Sequence, residues 1–190
     1  MHGPHDHELE HAAQGGHGGH ESGGGMIAQI AVITAIIATV GAIFSYMGGA
    51  TQANAGLYKN NAAIKKTEAA NQWNYFQSKS TKQSLAEFAR DLAPNDKKPG
   101  YQARIERYEK EKGEITVAAQ KLEAEATTWD KSSEEQMHQH HRWAQATTVL
   151  QVSIALAAIA LLTRKKWLEY SMFALAGVGL LIGALAALHI

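Results

Sequence analysis

The stretch that decides the fold is residues 143–190, with the sequence WAQATTVLQVSIALAAIALLTRKKWLEYSMFALAGVGLLIGALAALHI. It contains two apolar runs, 143–163 and 167–190, separated only by Arg164, Lys165 and Lys166. Each run is long enough for the roughly 20 residues that a helix needs to cross the hydrocarbon core of a bilayer. Because the link is so short, the sequence predicts an antiparallel pair of transmembrane helices.

A third apolar run, MIAQIAVITAIIATVGAIFSYMGG, occupies residues 26–49 and carries no charge. It predicts a first transmembrane helix. A signal peptide cleaved near Ala53-Asn54-Ala55 is the alternative, but the run exceeds the usual apolar region of about 7–15 residues and no Lys or Arg precedes it. Residues 1–25 are rich in His and Gly, and this composition is typical of a disordered tail.

Residues 50–142 differ sharply from these runs, because they hold 15 of the 18 basic and 13 of the 18 acidic residues. No proline occurs between Ala50 and Leu92, and APNDKKPG at 93–100 predicts a turn. The predicted fold class is therefore an all-α membrane protein. Three transmembrane helices (26–49, 143–163 and 167–190) carry a long antiparallel, coiled-coil-like helical hairpin between the first and the second.

Both arms of the hairpin show heptad spacing, with steps of three and four residues. The first predicted seam has apolar ends and a polar middle: Ala50, Ala53, Leu57, Asn60, Ile64, Thr67, Asn71, Asn74, Ser78, Thr81, Leu85, Phe88 and Leu92. The second is more apolar and continues into the second apolar run: Ile105, Tyr108, Lys112, Ile115, Ala119, Leu122, Ala126, Trp129, Ser133, Gln136, His140 and Trp143. A two-helix hairpin buries little surface, so we expect a homo-oligomer.

The residues predicted to form packing or oligomer contacts are of three kinds. Amides at seam positions fix the register and number of partner helices. A second stripe, formed by two alanines and two aromatic residues, indicates another packing face: Ala62, Ala69, Trp73 and Phe76. Glycines four apart in the third apolar run allow close helix approach. The predicted interface comprises Asn60, Asn71, Trp73, Asn74, Phe76, Gly179 and Gly183.

Composition excludes several functions. The net charge is zero and the mean hydropathy is −0.25, so the basic surface of a nucleic-acid-binding protein is missing. Without cysteine, disulfides, thiolate metal sites and thiol nucleophiles are excluded. No nucleotide-binding or serine-hydrolase motif occurs. We therefore expect no enzyme activity, and the sequence identifies no cofactor other than the divalent transition metal considered next.

The histidines suggest another possible function, the binding of a divalent transition metal ion such as Ni²⁺, Cu²⁺ or Zn²⁺. Glu134, His138 and His141 share one helix face at spacings of four and three. Tail histidines are further candidate ligands, namely His2, His5, His7 and His11. The competing interpretation of both groups is a solvated tail and an interfacial helix end.

Orientation follows from the short basic link, Arg164 to Lys166, since short loops rich in Lys and Arg stay on the cytoplasmic side. This places the N-terminal tail and 164–166 in the cytoplasm and residues 50–142 in the periplasm of a multi-pass inner membrane protein. Lys59, Lys65 and Lys66 follow the first apolar run and act against this orientation, but long translocated segments largely ignore charge.

The segment NQWNYFQSK at 71–79 and the ending HHRWAQATTVLQVSIALAAIALLTRKKW at 140–167 resemble a bacterial membrane protein family, the domain of unknown function 4337. The resemblance covers nearly the whole chain. It implies three spans with a helical hairpin between the first two, and it implies no activity. Members tend to carry basic residues just before the first span, where this chain has Gly23-Gly24-Gly25.

Together these observations predict a non-enzymatic, oligomeric inner membrane protein whose helical stalk has a structural, scaffold or assembly role. Its expected partners are membrane lipid, further copies of itself and another membrane complex. A metal-binding accessory protein is the alternative, and a channel or transport subunit, with hydroxyl residues lining a pore, is a weaker one.

Overall fold

The computed structural model describes residues 21–189, and within that range all regular secondary structure is α-helical. Helix α1 spans Glu21–Leu92, α2 spans Lys98–Thr163 and α3 spans Lys166–Ala187. The two long helices pack together, as the hairpin prediction requires. Helix α1 begins within the range predicted to be a disordered tail, and the rest of that tail lies outside the described residues.

The described chain divides into two units, one formed by 21–48 with 141–189 and the other by 49–140. Helices α1 and α2 each pass through both units. Three helices of the described chain contain stretches that are long and apolar enough to cross a membrane, by length and composition alone. All three stretches lie in the first unit.

The first unit is a three-helix bundle whose core contains both large apolar residues and alanines. One core cluster joins Ile30 of α1, Ala157 of α2 and Met172 of α3, and a second joins Ile37, Leu150 and Ala176 in the same order of helices. Other large apolar side chains point outward, for example Val32 (60% exposed), Leu162 (85%) and Leu181 (61%). An apolar exterior is the pattern expected of a bundle that lies in lipid.

Three contacts bring α3 close to its neighbours. The Ser153 hydroxyl, fully buried, donates a 2.8 Å hydrogen bond to the Met172 carbonyl. Gly179 lies against Leu150, and Gly183 lies against Phe44, whose ring is 5.2 Å from that of Trp143. The two glycines predicted to allow close helix approach are thus both buried, each against a large side chain.

The short link between α2 and α3 depends on one unusual backbone conformation. Arg164 has φ of 52°, and its N–H still bonds to the Ala160 carbonyl at 2.8 Å. A left-handed residue after the last helical turn is a common way to end a helix, although glycine adopts it more easily. The chain can therefore reverse within Arg164 and Lys165, and α3 begins at Lys166.

Replacing Gly179 with alanine should destabilise the three-helix unit by about 1–3 kcal/mol, because overpacking a close contact forces neighbouring groups to move. The new Cβ would lie 2.6 Å from Leu150 Cδ2 and 3.3 Å from the Leu150 backbone nitrogen, and rotation of the side chain cannot relieve the second contact. Unfolding in mixed micelles, followed by circular dichroism, measures the change.

Gly177→Ala is the matched control, since Gly177 lies on the same helix with no atom within 4 Å of its would-be Cβ. It should be neutral or stabilising by up to about 1 kcal/mol, the difference in helix propensity. Equal effects of the two alanines would contradict the close contact at Gly179.

Candidate functional site: the two faces of the helical hairpin

The inner face of α1 in the hairpin unit is a row of alanines spaced seven residues apart. Ala55, Ala62 and Ala69 are at most 2% exposed. The buried Ser133 hydroxyl on α2 donates a 2.8 Å hydrogen bond to the Ala55 carbonyl. Counting sevens along both antiparallel helices from this contact places Ala126 opposite Ala62 and Ala119 opposite Ala69. Only small side chains allow two helix backbones to come so close.

Ion pairs flank this alanine row on both sides. Asp130 of α2 accepts hydrogen bonds from Lys59, at 2.8 Å, and from Lys66. Its pKa is lowered, mainly because Lys59 donates to the carboxylate and then because Lys66 does so. Lys65 reaches Glu68 at 2.9 Å and Glu125 at 3.3 Å, and these two bonds raise its pKa.

Aromatic rings and cations fill the middle of the hairpin, where the alanine row ends. Lys79 Nζ lies 2.6 Å from Glu111 Oε2, and it stands 4.9 Å from the Tyr75 ring centroid and 5.7 Å from that of Tyr108. The hydrogen bond to Glu111 is the main cause of a raised Lys79 pKa. A lysine held this way between rings and a carboxylate serves the packing of the hairpin.

Two residues of the predicted interface also pack within the chain. The Trp73 Nε1–H donates a hydrogen bond to Glu123 Oε1 at 2.8 Å. The centroid of the Trp73 ring lies 5.7 Å from that of the Phe76 ring. Lys112 of α2 lies over Phe76, with its Nζ 5.4 Å from the ring centroid. Both side chains are half-buried, so the hairpin itself covers much of their surface.

The outer face of α1 differs from the inner face, because its side chains, both large apolar and polar, are exposed. We call this set the outer stripe: Leu57, Asn60, Ile64, Thr67, Asn71, Asn74, Ser78, Thr81, Leu85, Phe88 and Leu92. Every member is exposed, with Leu57 at 56%, Ile64 at 47% and Phe88 at 63%. Leu57 is two residues from Ala55, about 200° around a helix of 3.6 residues per turn, so the stripe lies opposite the alanines.

The burial corrects one expectation about α1. From Leu57 to Leu92 its predicted heptad seam is the outer stripe, and this part of the seam does not join α1 to α2; of the two preceding members, Ala50 is half-buried and Ala53 is exposed. On α2, by contrast, every residue predicted for the seam from Ile105 to His140 is buried or half-buried. The intrachain seam of α1 is instead the alanine row, of which the sequence interpretation included Ala62 and Ala69 but missed Ala55.

The histidine and acidic residues do not come together. Among residues 21–189, no group of three or more His, Asp or Glu side chains is placed to hold a metal ion. Glu134, His138 and His141 are each exposed on α2. The other candidate ligands, His2, His5, His7 and His11, lie outside the described residues.

The basic link is fully presented at the surface. Arg164, Lys165 and Lys166 are all exposed, as an orientation signal in a short loop requires.

These features define a class of protein: all-helical, with three helices apolar enough to cross a membrane and a long helical hairpin inserted between the first two. The family model described as "Domain of unknown function (DUF4337)" matches residues 26–189, so the chain belongs to that family. The expected family membership is thereby confirmed. No curated protein and no solved structure matches the chain.

Acid should weaken the hairpin through Asp130. Its pKa is depressed in the folded chain, so its ion pairs contribute fully above the ordinary aspartate pKa of about 3.9 and are lost as pH falls through the lower folded value. The melting temperature should therefore fall as pH is lowered from about 5 to below 3, and Asp130→Asn should flatten that part of the profile.

Glu114→Gln supplies the comparison, because Glu114 is an exposed carboxylate of α2 that makes no ion pair within the described chain. This variant should keep the acid slope of the parent. Parallel slopes for the parent and Asp130→Asn would show that Asp130 is not a source of the acid sensitivity.

Proposed function

We propose that this protein is a non-enzymatic, membrane-anchored scaffold that associates with further copies of itself through the outer stripe of α1. The observation that carries the proposal is the exposure of that whole stripe on a helix whose opposite face is already packed. The apolar members lie at the two ends of the stripe, Leu57 with Ile64 and Leu85 with Phe88 and Leu92. Exposed apolar patches of this kind are typical of an interaction surface.

The spacing of the stripe favours another helix as its partner. Steps of three and four residues match the knobs-into-holes packing of a coiled coil, in which a partner helix supplies the same spacing. Copies anchored by the same three apolar helices in one bilayer would point the same way. Their α1 helices would then be parallel, so that each residue of the stripe could meet its own counterpart.

The side-chain amides of the outer stripe favour a register in which each asparagine faces the same asparagine of the other copy. In a parallel pair Asn71 faces Asn71 and Asn74 faces Asn74, which lets each side-chain amide donate to and accept from its equivalent. A displaced register would set an amide against Leu or Ile and leave its polar atoms without a partner. The polar middle of the stripe thus favours one register at some cost in affinity.

The second long helix favours an arrangement with α1 inside and α2 outside. The outward face of α2 carries many charges, and its exposed large apolar residues within the hairpin are Val117 and Met137. Charged faces suit contact with water or with another membrane complex. A central core of α1 helices surrounded by α2 would give a scaffold with a polar exterior.

Cysteine cross-linking tests this arrangement cleanly, since the chain contains no cysteine of its own. Asn74→Cys should form a disulfide between two copies under mild oxidation in a bilayer, because equivalent seam positions lie side by side in a parallel pair. Lys121→Cys, on the exposed face of α2, is the control and should cross-link little. Equal yields at the two positions would defeat the proposal.

Loss of the apolar members should dissociate the assembly. Each buried Leu or Ile contributes about 1.5–3 kcal/mol, so Leu57→Gln with Ile64→Gln should raise the subunit dissociation constant at least a hundredfold. Mass measurement in mild detergent follows the change, with Val117→Gln as the control. A parent chain that is monomeric at all concentrations would contradict self-association.

We further propose that the tail and the basic link face the cytoplasm and that the hairpin faces the periplasm. The support is the exposed Arg164, Lys165 and Lys166 in a link too short to be translocated readily. With Asn95→Cys, a membrane-impermeant thiol reagent should label intact spheroplasts. Labelling only after the inner membrane is permeabilised would reverse the orientation.

A further inference from the structure

The cations of α1 are of two kinds. Lys59, Lys65, Lys66 and Lys79 all contact carboxylates. Lys82 of α1, and Lys97 and Arg104 at the tip, make no ion pair among the described residues, and all three are exposed. The tip also carries the carboxylates Glu87, Asp96 and Glu106, which make no ion pair there either, so what sets these three cations apart is their place around the hollows described next.

Two of these cations border a cleft of about 200 Å³ between α1 and α2. Its apolar lining residues are Leu85, Ala86 and Ala89. Its other lining residues are Lys82, Tyr101, Arg104 and Tyr108. We call this the tip cleft. The Arg104 guanidinium stays over the Tyr101 ring, 5.6 Å from its centroid, so one cation is held at the rim.

A second hollow adjoins the tip cleft and shares Tyr101 and Arg104 with it. Lys97, Gly100 and one carboxylate, Asp96, line the rest of this hollow. Lys82 thus lines the tip cleft, Lys97 lines the second hollow and Arg104 lines both. Together the two hollows are lined by three cations and one anion, beside apolar residues.

We propose that the tip cleft binds the headgroup and upper acyl chain of anionic phospholipids, so that the hairpin tip docks on an anionic lipid surface. Lys and Arg near such a surface are attracted to its phosphates. Tyrosine rings favour the boundary between headgroups and acyl chains, because one end is apolar and the other polar. The apolar lining distinguishes this ligand from a free phosphate, which has no apolar part to contact Leu85, Ala86 and Ala89.

The exposed residues beside the cleft fit the same ligand. Leu85 is 67% exposed and Leu92 is 71% exposed. Apolar side chains interleaved with basic ones are typical of a surface that inserts shallowly among headgroups. This role goes beyond the proposed scaffold function. Leu85 and Leu92 also belong to the outer stripe, so in any one hairpin they contact either lipid or a second α1 helix. Lys82 and Arg104 line the cleft but lie outside the stripe, so substituting them tests the lipid contact separately from self-association.

Flotation with vesicles tests the proposal on the full chain. The protein is held in nanodiscs of phosphatidylcholine and mixed with separate vesicles of phosphatidylglycerol and phosphatidylcholine, or of phosphatidylcholine alone. Binding should require phosphatidylglycerol. Lys82→Gln with Arg104→Gln should weaken the partition coefficient about 30-fold, from about 1 kcal/mol for each basic residue near an anionic surface. Empty nanodiscs correct for binding by the nanodisc itself.

Lys121→Gln with Lys131→Gln is the matched control. It removes the same charge from exposed positions of the same hairpin that make no ion pair within the described chain. Near-parent binding by this control supports the tip cleft, and an equal loss in both double variants overturns it. The proposal is also overturned if parent protein ignores the anionic vesicles. Displacement by inorganic phosphate, but not by sodium chloride of equal ionic strength, would identify a free anion as the ligand and overturn the lipid assignment.

Discussion

The close approach of α1 and α2 along the alanine row is the constraint on which the hairpin depends. Ala55, Ala62 and Ala69 supply almost no side-chain bulk, so the backbone of α2 can lie near enough for the Ser133 hydroxyl to reach a main-chain carbonyl. At that separation the long flanking side chains span the groove, and Asp130 can accept from two lysines at once. A leucine in the row would push the helices apart and lengthen each of these bonds.

Small residues along this contact also determine which apolar residues of α1 remain exposed. A conventional heptad seam would have buried the large apolar residues of α1 against α2. Here the alanines take that place, and Leu57, Ile64, Leu85 and Phe88 remain on the opposite face. The hairpin is therefore held together by close backbone packing and ion pairs, while the residues with the most apolar surface remain outside. This division separates the contact that folds the chain from the surface available to a partner.

Sequence reasoning succeeded where hydrophobic periodicity had one solution. The three apolar runs, the break between α1 and α2 and the seam of α2 all followed from composition and spacing. The break is shorter than the predicted turn at 93–100, because α2 begins at Lys98 and takes Pro99 and Gly100 into its first turn, where proline is tolerated. On α1 two faces have heptad spacing. The sequence favours the outer stripe as the seam, because burying Leu or Ile contributes more free energy than burying Ala. Only the strict interval of seven from Ala55 to Ala69 signalled the true intrachain seam.

The aromatic and charged residues could not be assigned from sequence for a related reason. Whether Trp73 faces a second subunit or its own chain depends on the relative rotation of two helices, and this rotation is fixed by the alanine row and not by Trp73. The same holds for the cations. Lys79 and Lys82 are one turn apart on α1 and chemically alike, yet Lys79 meets Glu111 and two tyrosine rings while Lys82 meets no carboxylate within bonding distance. Antiparallel register decides which lysine is neutralised, so the register that buries the alanines also leaves Lys82 at the tip cleft without an ion pair among the described residues.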